Sequence, residues 1–213
     1  METTTKKTNA EAELLNSVTL NGEICSEKEF SHEVYGKQFY TLKLSVKRLS
    51  EKTDEILLTI SERLTNLDEL TVGTKVSILG QFRSYNKHEE NKNHLILSVF
   101  VRELVIINEE PEENKNSITL NGYICKAPVY RKTPLGREIA DVLLAVNRPY
   151  GKSDYIPCIC WGRNARYASG LKVGQGVTIN GRVQSRVYTK KIGEEVEERT
   201  AYEVSVSKIE LFN

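Results

Sequence analysis

The sequence contains few residues of the kinds that form disulfide bonds or bind metals. Its 213 residues include four cysteines and three histidines, with no C-x-x-C pair and no zinc-like spacing. Cys25 and Cys125 lie at matching positions of a repeat, while Cys158 and Cys160 share one face of an apolar strand. We therefore expect buried free thiols, no metal and no cofactor.

Long apolar runs are also missing. The initial METTTKKTNAEAELL has no apolar h-region, and no run of about 18 apolar residues could span a bilayer. Hydrophobic residues make up 39% of the chain and charged residues 28%, which is typical of globular proteins. We expect a cytoplasmic protein with no membrane partner.

A long internal repeat is present. NSVTLNGEIC (16–25) returns as NSITLNGYIC (116–125), with eight of ten positions identical, which indicates a tandem duplication. The segment between the copies, NEEPEENKN, is acidic and has no apolar residue. The predicted organisation is a flexible N-terminal segment (1–16), a first domain (17–107), an acidic linker (108–116) and a second domain (117–213).

Each copy has the same predicted order of elements. A first strand precedes a glycine-containing turn, two further strands, a short helical segment such as RNARYASG, and two long alternating strands. Five strands with a helix between the third and fourth predict an all-β chain of two tandem OB-fold Greek-key barrels. An SH3-like barrel is the alternative, although it usually lacks the inserted helix. OB barrels bind oligonucleotides, oligosaccharides or proteins, so the fold alone leaves function open.

The two copies differ in charge. The first (17–107) has 12 Lys and Arg against 13 Asp and Glu, and the second (117–213) has 15 against 9. The neutral total therefore conceals a basic second domain. Excess positive charge suggests a polyanionic partner, because Lys and Arg release counterions condensed on phosphates.

The fourth strand of the second copy, within QGVTINGRVQSRVYTK, alternates apolar and polar residues. If its apolar face is buried, Arg182, Gln184, Arg186 and Tyr188 point outward. Polar residues of any kind would keep such a face soluble, and these arginines also suit a solvated surface. Their proximity to aromatic residues favours a binding role.

Those aromatic residues lie in SDYIPCICWG and in the preceding strand end. Regular alternation places Tyr155 and Trp161 outward, and Tyr150 follows Arg148 where a strand runs into a loop. Unpaired bases stack on such rings, while arginine neutralises phosphate or stacks on a base. Each ring alone also suits cross-strand packing, and Trp161 suits the rim of a core.

The second copy resembles the OB domain of bacterial single-stranded DNA-binding proteins over nearly its whole length. The resemblance lies in RKTPLGREIADVLLAVNRPY, DYIPCICWGRNA, LKVGQGVTINGRVQSRVY and RTAYEVSVSKIE. It implies base stacking at four aromatic positions and basic contacts in the turn and fourth strand. The candidate binding residues are Tyr150, Tyr155, Trp161 and Tyr188, with Arg131 and Arg186 from the resemblance and Arg182, Arg148 and Lys132 as further basic residues.

The first copy departs from this pattern. We take the counterparts of the four rings to be Ser50, Asp54, Ile60 and Lys87, none of them aromatic. Alternation still points Arg83, Tyr85 and Lys87 outward as an auxiliary contact. The first domain is therefore expected to be degenerate and to serve assembly or auxiliary binding.

These observations predict sequence-independent binding of single-stranded DNA in replication, recombination or repair, in the nucleoid. RNA also fits. The alternative is a protein-interaction module of the primosome or replication-restart type. The resemblance further implies a homodimer presenting four OB-folds. The chain ends at SKIELFN, so recruitment of replication or repair proteins is not expected to use an acidic C-terminal tip. No enzyme is expected, because catalytic carboxylate clusters and a G-x-x-x-x-G-K-[ST] loop are missing.

Overall fold

The structure, a computed structural model, describes residues 15–48, 50, 52–89, 92–108, 115–192 and 195–212. Most of the predicted N-terminal segment and linker lie outside these ranges. The described part consists mainly of twelve strands and one α-helix. The elements are β1 (Asn16–Ile24), β2 (Glu29–Val34), β3 (Lys37–Lys47), β4 (Thr53–Ser61), β5 (Lys75–Glu89), β6 (Lys92–Ile106), β7 (Asn116–Ile124), β8 (Val129–Lys132), β9 (Glu138–Arg148), β10 (Lys152–Trp161), α1 (Arg163–Ser169), β11 (Gly176–Ile192) and β12 (Glu195–Leu211).

Each half of the chain closes into a five-stranded barrel, which confirms the OB-fold prediction. In the first half β1 pairs with both β3 and β5, and β4 runs parallel to β6. The second half repeats these pairings with β7, β9, β11, β10 and β12. The predicted first strand is interrupted after Ile24 and after Ile124, so the continuation appears as the separate edge strands β2 and β8.

The predicted helix between the third and fourth strands forms only in the second barrel. There α1 buries Ala165 and Ala168, and alanine is the strongest helix former. The first barrel has a single 3₁₀ turn at Leu67–Glu69, where the Asn66 side chain accepts a hydrogen bond from the amide of Asp68. Asn and Asp favour such side-chain-to-backbone bonds over helix continuation, so the prediction for the first copy was wrong.

Glycines of the repeat allow each barrel to close. A Cβ atom on Gly22 would lie 2.5 Å from the carbonyl oxygen of Ser45, and one on Gly122 would lie 2.6 Å from that of Ala145. These are points where β1 meets β3 and β7 meets β9. Only glycine allows the backbones to approach so closely.

The two barrels join through β1 and β7, which pair antiparallel within one twelve-stranded sheet. The repeat-equivalent residues Val18 and Ile118 lie directly opposite each other. A pseudo-twofold axis therefore passes between them, as in an isologous dimer.

Burial of the cysteines matches the sequence prediction only in part. Cys158 and Cys160 are buried in the second core, but Cys25 is exposed and Cys125 is half-buried. Cys25 and Cys125 directly follow the ends of β1 and β7, where each strand is followed by a loop. All four thiols are free. Within the described ranges no helix is long and apolar enough to cross a membrane.

Candidate nucleic-acid interface

The four predicted aromatic side chains are exposed on the second barrel, three of them at the outward positions that alternation predicted and Tyr150 after a strand end. Tyr155 and Trp161 point outward from β10 and are 47% and 37% exposed, while Ile156, Cys158 and Cys160 are buried. Tyr188 of β11 is 37% exposed and Tyr150 is 97% exposed. Together with the exposed Tyr123, Tyr130 and Tyr167 of the same barrel, these four rings leave much aromatic surface open to a ligand.

Tyr150 owes its exposure to an unusual backbone conformation. It lies in the short 3₁₀ segment Pro149–Gly151 after β9, with a φ of 65°. A non-glycine residue in the left-handed region is uncommon and costs conformational energy. The segment holds the phenol away from the barrel.

Trp161 lines a groove rich in arginine, which we call the tryptophan groove. Five arginines face two carboxylates there, so the lining has excess positive charge. The groove brings together three of the predicted residues that are distant in sequence, Arg131, Trp161 and Arg186. Its lining consists of Arg48, Arg131, Arg137, Ile139, Asp141, Ile159, Trp161, Arg182, Gln184, Ser185, Arg186, Glu203 and Ser205.

Arg186 is the most accessible arginine of the predicted set on the fourth strand. Its side chain is 59% exposed and its Nε lies 4.0 Å from a carboxylate oxygen of Glu203, a loose ion pair. Its guanidinium carbon lies 5.7 Å from the ring centroid of Tyr188, within the range of a cation–π contact. A cation and an exposed ring are thus presented together.

The basic residues of the β8–β9 hairpin are also exposed. Arg131 donates to both carboxylate oxygens of Asp141, at 2.9 and 3.2 Å, and both side chains remain accessible. Lys132 at the end of β8 is exposed. Arg131 is therefore held in position by a carboxylate with which a phosphate would compete.

Two buried aspartates, Asp54 and Asp154, connect the barrels, and we call them the junction aspartates. Asp54 accepts a hydrogen bond at 2.8 Å from the amide of Ser185 in the other barrel. Asp154 accepts one at 2.7 Å from the amide of Ser84. The serine hydroxyls complete the exchange, since the amides of Glu55 and Tyr155 donate to them at 3.1 and 2.8 Å. The contacts obey the pseudo-twofold axis.

Arg182 and Arg148 each pair with a junction aspartate. Arg182 lies 3.3 Å from Asp54, which also pairs with Arg48, and Arg148 lies 3.3 Å from Asp154. Both side chains still line grooves. The interpretation of Arg182 as a plain outward cation needs correction, because its guanidinium pairs with the buried carboxylate of Asp54 in the first barrel.

Arg148 lines a second basic groove between the barrels, which we call the junction groove. It contains four cations against one carboxylate, and it brings Tyr150 of the second barrel close to Arg83 of the first. The lining consists of Asn16, Gln81, Arg83, Arg102, Asn147, Arg148, Pro149, Tyr150, Lys152 and Asp154.

The auxiliary residues predicted in the first barrel differ in their surroundings. Tyr85 is 44% exposed, as predicted, and the side chain of Lys87 lies outside the described part. Arg83 was expected to be an open cation, but it is largely enclosed: its guanidinium carbon lies 3.9 Å from the centroid of Phe100. Burial, and next the charge of Arg148, lower its pKa to about 10, so it remains charged at neutral pH.

Strand register also corrects two of the repeat counterparts. Tyr155 lies opposite Ala145, and Trp161 opposite Ile139. The equivalent positions in β4 are those opposite Ser45 and Phe39, namely Glu55 and Ser61. The counterparts assigned as Asp54 and Ile60 were therefore one residue off, and both are buried. Neither correct counterpart is aromatic.

Sequence reasoning missed several residues of the two grooves, among them Arg48, Arg137, Arg102 and Lys152. Arg48 could have been found, because the repeat makes it the counterpart of Arg148. Arg137 adjoins the same glycine turn as Arg131. The sequence gives no signal for Arg102, because only the folded chain brings it into the same groove as Arg148. In the part of the chain that the structure describes, no cluster of His, Cys, Asp and Glu could hold a metal ion.

The fold and the grooves define a chain of two OB barrels with a basic, aromatic surface. Residues 115–212 match the model of the single-strand binding protein family. The second half of the chain is therefore similar to this family, which is named for binding and not for a reaction.

Curated relatives carry names that agree with this match. Over 88 residues the chain is 35% identical to a single-stranded DNA-binding protein of Halalkalibacterium halodurans, covering 38% of this chain and 52% of that protein. It is 38% identical over 88 residues to single-stranded DNA-binding protein 3 of Listeria innocua, covering 38% of this chain and 55% of the relative. The chain thus spans about half the length of the curated relatives it matches.

A solved structure extends the likeness to the whole fold. The wild-type single-stranded DNA binding protein from Thermus aquaticus matches with a TM-score of 0.71, covering 93% of both chains at 21% identity. A deletion mutant of that protein gives 0.72, covering 93% of this chain and 95% of that one at 19% identity. At this identity the likeness shows the fold, including both barrels.

Proposed function

We propose that this protein binds single-stranded DNA without sequence preference. The observation that carries the proposal is the exposure of Tyr150, Tyr155, Trp161 and Tyr188 on a basic barrel. Bases of an unpaired strand expose both faces, and each base stacked on a ring contributes about 1–3 kcal/mol. Duplex DNA hides these faces inside its own stack. A surface of rings and arginines therefore selects single strands, and the match of residues 115–212 to the family model supports this choice.

The cations complement the rings in this proposal. Arg186 neutralises phosphate beside Tyr188, and Arg131 and Lys132 do so at the β8–β9 hairpin. Arg182 and Arg148 contribute positive potential from their places beside the junction aspartates. Because phosphate contacts release condensed counterions, affinity falls as salt concentration rises. Such binding serves replication, recombination and repair, each of which exposes single strands.

We also propose that two chains pair into a homodimer presenting four barrels. Support comes from the pseudo-twofold arrangement, because one chain already has the form of a dimer of OB-folds. Light scattering during size-exclusion chromatography should return twice the chain mass at micromolar concentration. A monomer mass would remove this part of the proposal and leave DNA binding intact.

Fluorescence anisotropy with labelled oligo-dT tests the function directly. Tight binding at low salt, weakening linearly on a logarithmic salt scale, is the expected result. A duplex of equal length is the matched competitor and should displace the strand poorly. If neither ligand binds at low salt, a protein-interaction role is favoured, and co-purification of a replication or restart protein from nuclease-treated extract would support that role.

A further inference from the structure

The first barrel carries its own row of aromatic side chains on its outer face. The rings of His32 and Phe39 stack with centroids 4.8 Å apart and planes 8° apart. Phe39 lies 5.9 Å from Phe100, and Arg83 lies over the other side of the row, 3.9 Å from the Phe100 centroid. We call these four residues the ring platform. They come from β2, β3, β6 and β5, so the platform crosses most of the sheet.

Strand register places the platform where the second barrel has the tryptophan groove. Phe39 lies directly opposite Ser61, and the equivalent pair in the second barrel is Ile139 opposite Trp161. In this equivalent pair the aromatic residue is therefore on the third strand in the first barrel (Phe39) and on the neighbouring strand in the second barrel (Trp161).

Phe100 has a similar relation to the tryptophan groove. It lies opposite Gln81, as Ser205 lies opposite Arg182 in the second barrel. Ser205 and Arg182 both line the tryptophan groove. Thus the first barrel has not lost aromatic surface from its outer face but carries it at neighbouring positions.

Cross-strand packing alone would also produce neighbouring rings. The charge around the platform distinguishes the two explanations. Arg83 remains charged, and it shares the junction groove with Arg102, Arg148 and Lys152 against the single carboxylate of Asp154. Excess positive charge beside partly exposed rings is complementary to a phosphate chain carrying bases.

The junction groove also makes the two aromatic surfaces continuous. Its lining runs from Tyr150 of the second barrel to Arg83 of the ring platform. A DNA strand that stacks on Tyr150 and continues toward the first barrel would therefore pass along the cations that line this groove.

We propose that the ring platform is a second base-stacking site, occupied by nucleotides of the same single strand after it crosses the junction groove. The proposal rests on the proposed function and adds a location to it. It assigns nucleic-acid binding to the first barrel through His32, Phe39 and Phe100, in addition to the auxiliary strand β5.

The test uses the full chain with the double variant Phe39→Leu and Phe100→Leu. Leucine keeps apolar volume but removes the flat rings. Phe30→Leu is the matched control, because Phe30 is 60% exposed and packs edge-to-face on Tyr40, whose side chain points to the opposite side of β3 from Phe39. Affinity is measured for a short oligo-dT of about 10 nucleotides and for a long one of about 35, since one OB fold covers roughly 4–16 nucleotides.

The double variant should bind the long strand about tenfold more weakly than wild type and the short strand equally well. The control should match wild type on both strands. Equal long-strand affinity of the double variant and the control would overturn the platform proposal. If the wild type binds neither strand, the proposed function itself is refuted.

A second measurement on the wild-type chain does not depend on the folding of any variant. Oligo-dT containing 5-iodouracil cross-links on irradiation to residues that its bases contact. We expect cross-linked peptides from β3 and β6 as well as from β10. Cross-links confined to the second barrel, in complexes saturated with the long strand, would refute the platform.

Discussion

The two barrels agree where they touch each other and differ where they meet solvent. On the paired strands β1 and β7, Asn16 and Asn116 each exchange two hydrogen bonds with the backbone of the fourth strand of their own barrel, at Phe82 and Val183. The junction aspartates are likewise repeated. On the outer face, by contrast, Trp161 replaces Ser61 and the rings of the first barrel lie elsewhere. The comparison teaches that the repeat fixes the assembly of the barrels, while the ligand-facing surface has diverged.

Even the junction is not fully symmetric. Asp54 is paired with both Arg48 and Arg182, whereas the fourth-strand residue beside Asp154 that corresponds to Arg182 is Gln81. In agreement, an oxygen of Asp154 is buried without a hydrogen bond. The two halves of the junction should therefore differ in energy.

Asp54→Ala is expected to have the largest effect. It leaves Arg48 and Arg182 without their common carboxylate, and breaking a buried pair costs about 3–5 kcal/mol. Asp154→Ala should cost less, because one of its oxygens makes no hydrogen bond. Urea denaturation followed by circular dichroism measures both free energies of unfolding. Equal losses, or a larger one for Asp154→Ala, would contradict the asymmetry.

Trp161→Ala separates the outer faces of the two barrels. Loss of one stacking ring should weaken binding of oligo-dT by about 1–3 kcal/mol. Its repeat counterpart gives the matched control, since Ser61→Ala removes only a hydroxyl and should leave affinity unchanged. Anisotropy of labelled oligo-dT reports both values. A comparable loss in the two variants would mean that the ring contributes structure and not stacking.

Arg186→Ala probes the electrostatic difference between the barrels. If Arg186 neutralises one phosphate, the salt slope of binding should fall by about 0.7. Lys208→Ala is the control, because this exposed lysine already pairs with Glu210 at 2.8 Å. Affinities at four or more salt concentrations give the slopes. An unchanged slope for Arg186→Ala would remove this residue from the interface.

The smallest expected effect concerns the pH dependence of stability. Burial raises the pKa of the Asp154 carboxyl above its ordinary value of 3.8. As the pH rises above 3.8, this carboxyl therefore loses its proton in the unfolded chain before it does so in the folded chain. The folded state then binds more protons, and this carboxyl destabilises the fold increasingly until the folded pKa is passed. Asp154→Asn should gain in melting temperature relative to wild type across that window. A constant or falling difference would contradict the sign.

Much of this fold was predictable from sequence, because period-two alternation indicates the strands of each half and the repeat gives the same strand order in both halves. The outward positions of Tyr155, Trp161 and Tyr188 followed from the same alternation. The ring platform did not, since Phe100 lies far in sequence from His32 and Phe39, and only the strand order β2-β3-β4-β6-β5 brings the three into one row. The enclosure of Arg83 and the pairing of Arg182 were missed for a related reason: both depend on packing that local pattern cannot report.

The emission of Trp161 tests the central claim most directly, because it is the chain's single tryptophan and belongs to the proposed stacking surface. Titration with oligo-dT at low salt should quench this fluorescence to a plateau, and an equal concentration of duplex should leave it nearly unchanged. Unaltered emission throughout the titration with oligo-dT would contradict the account.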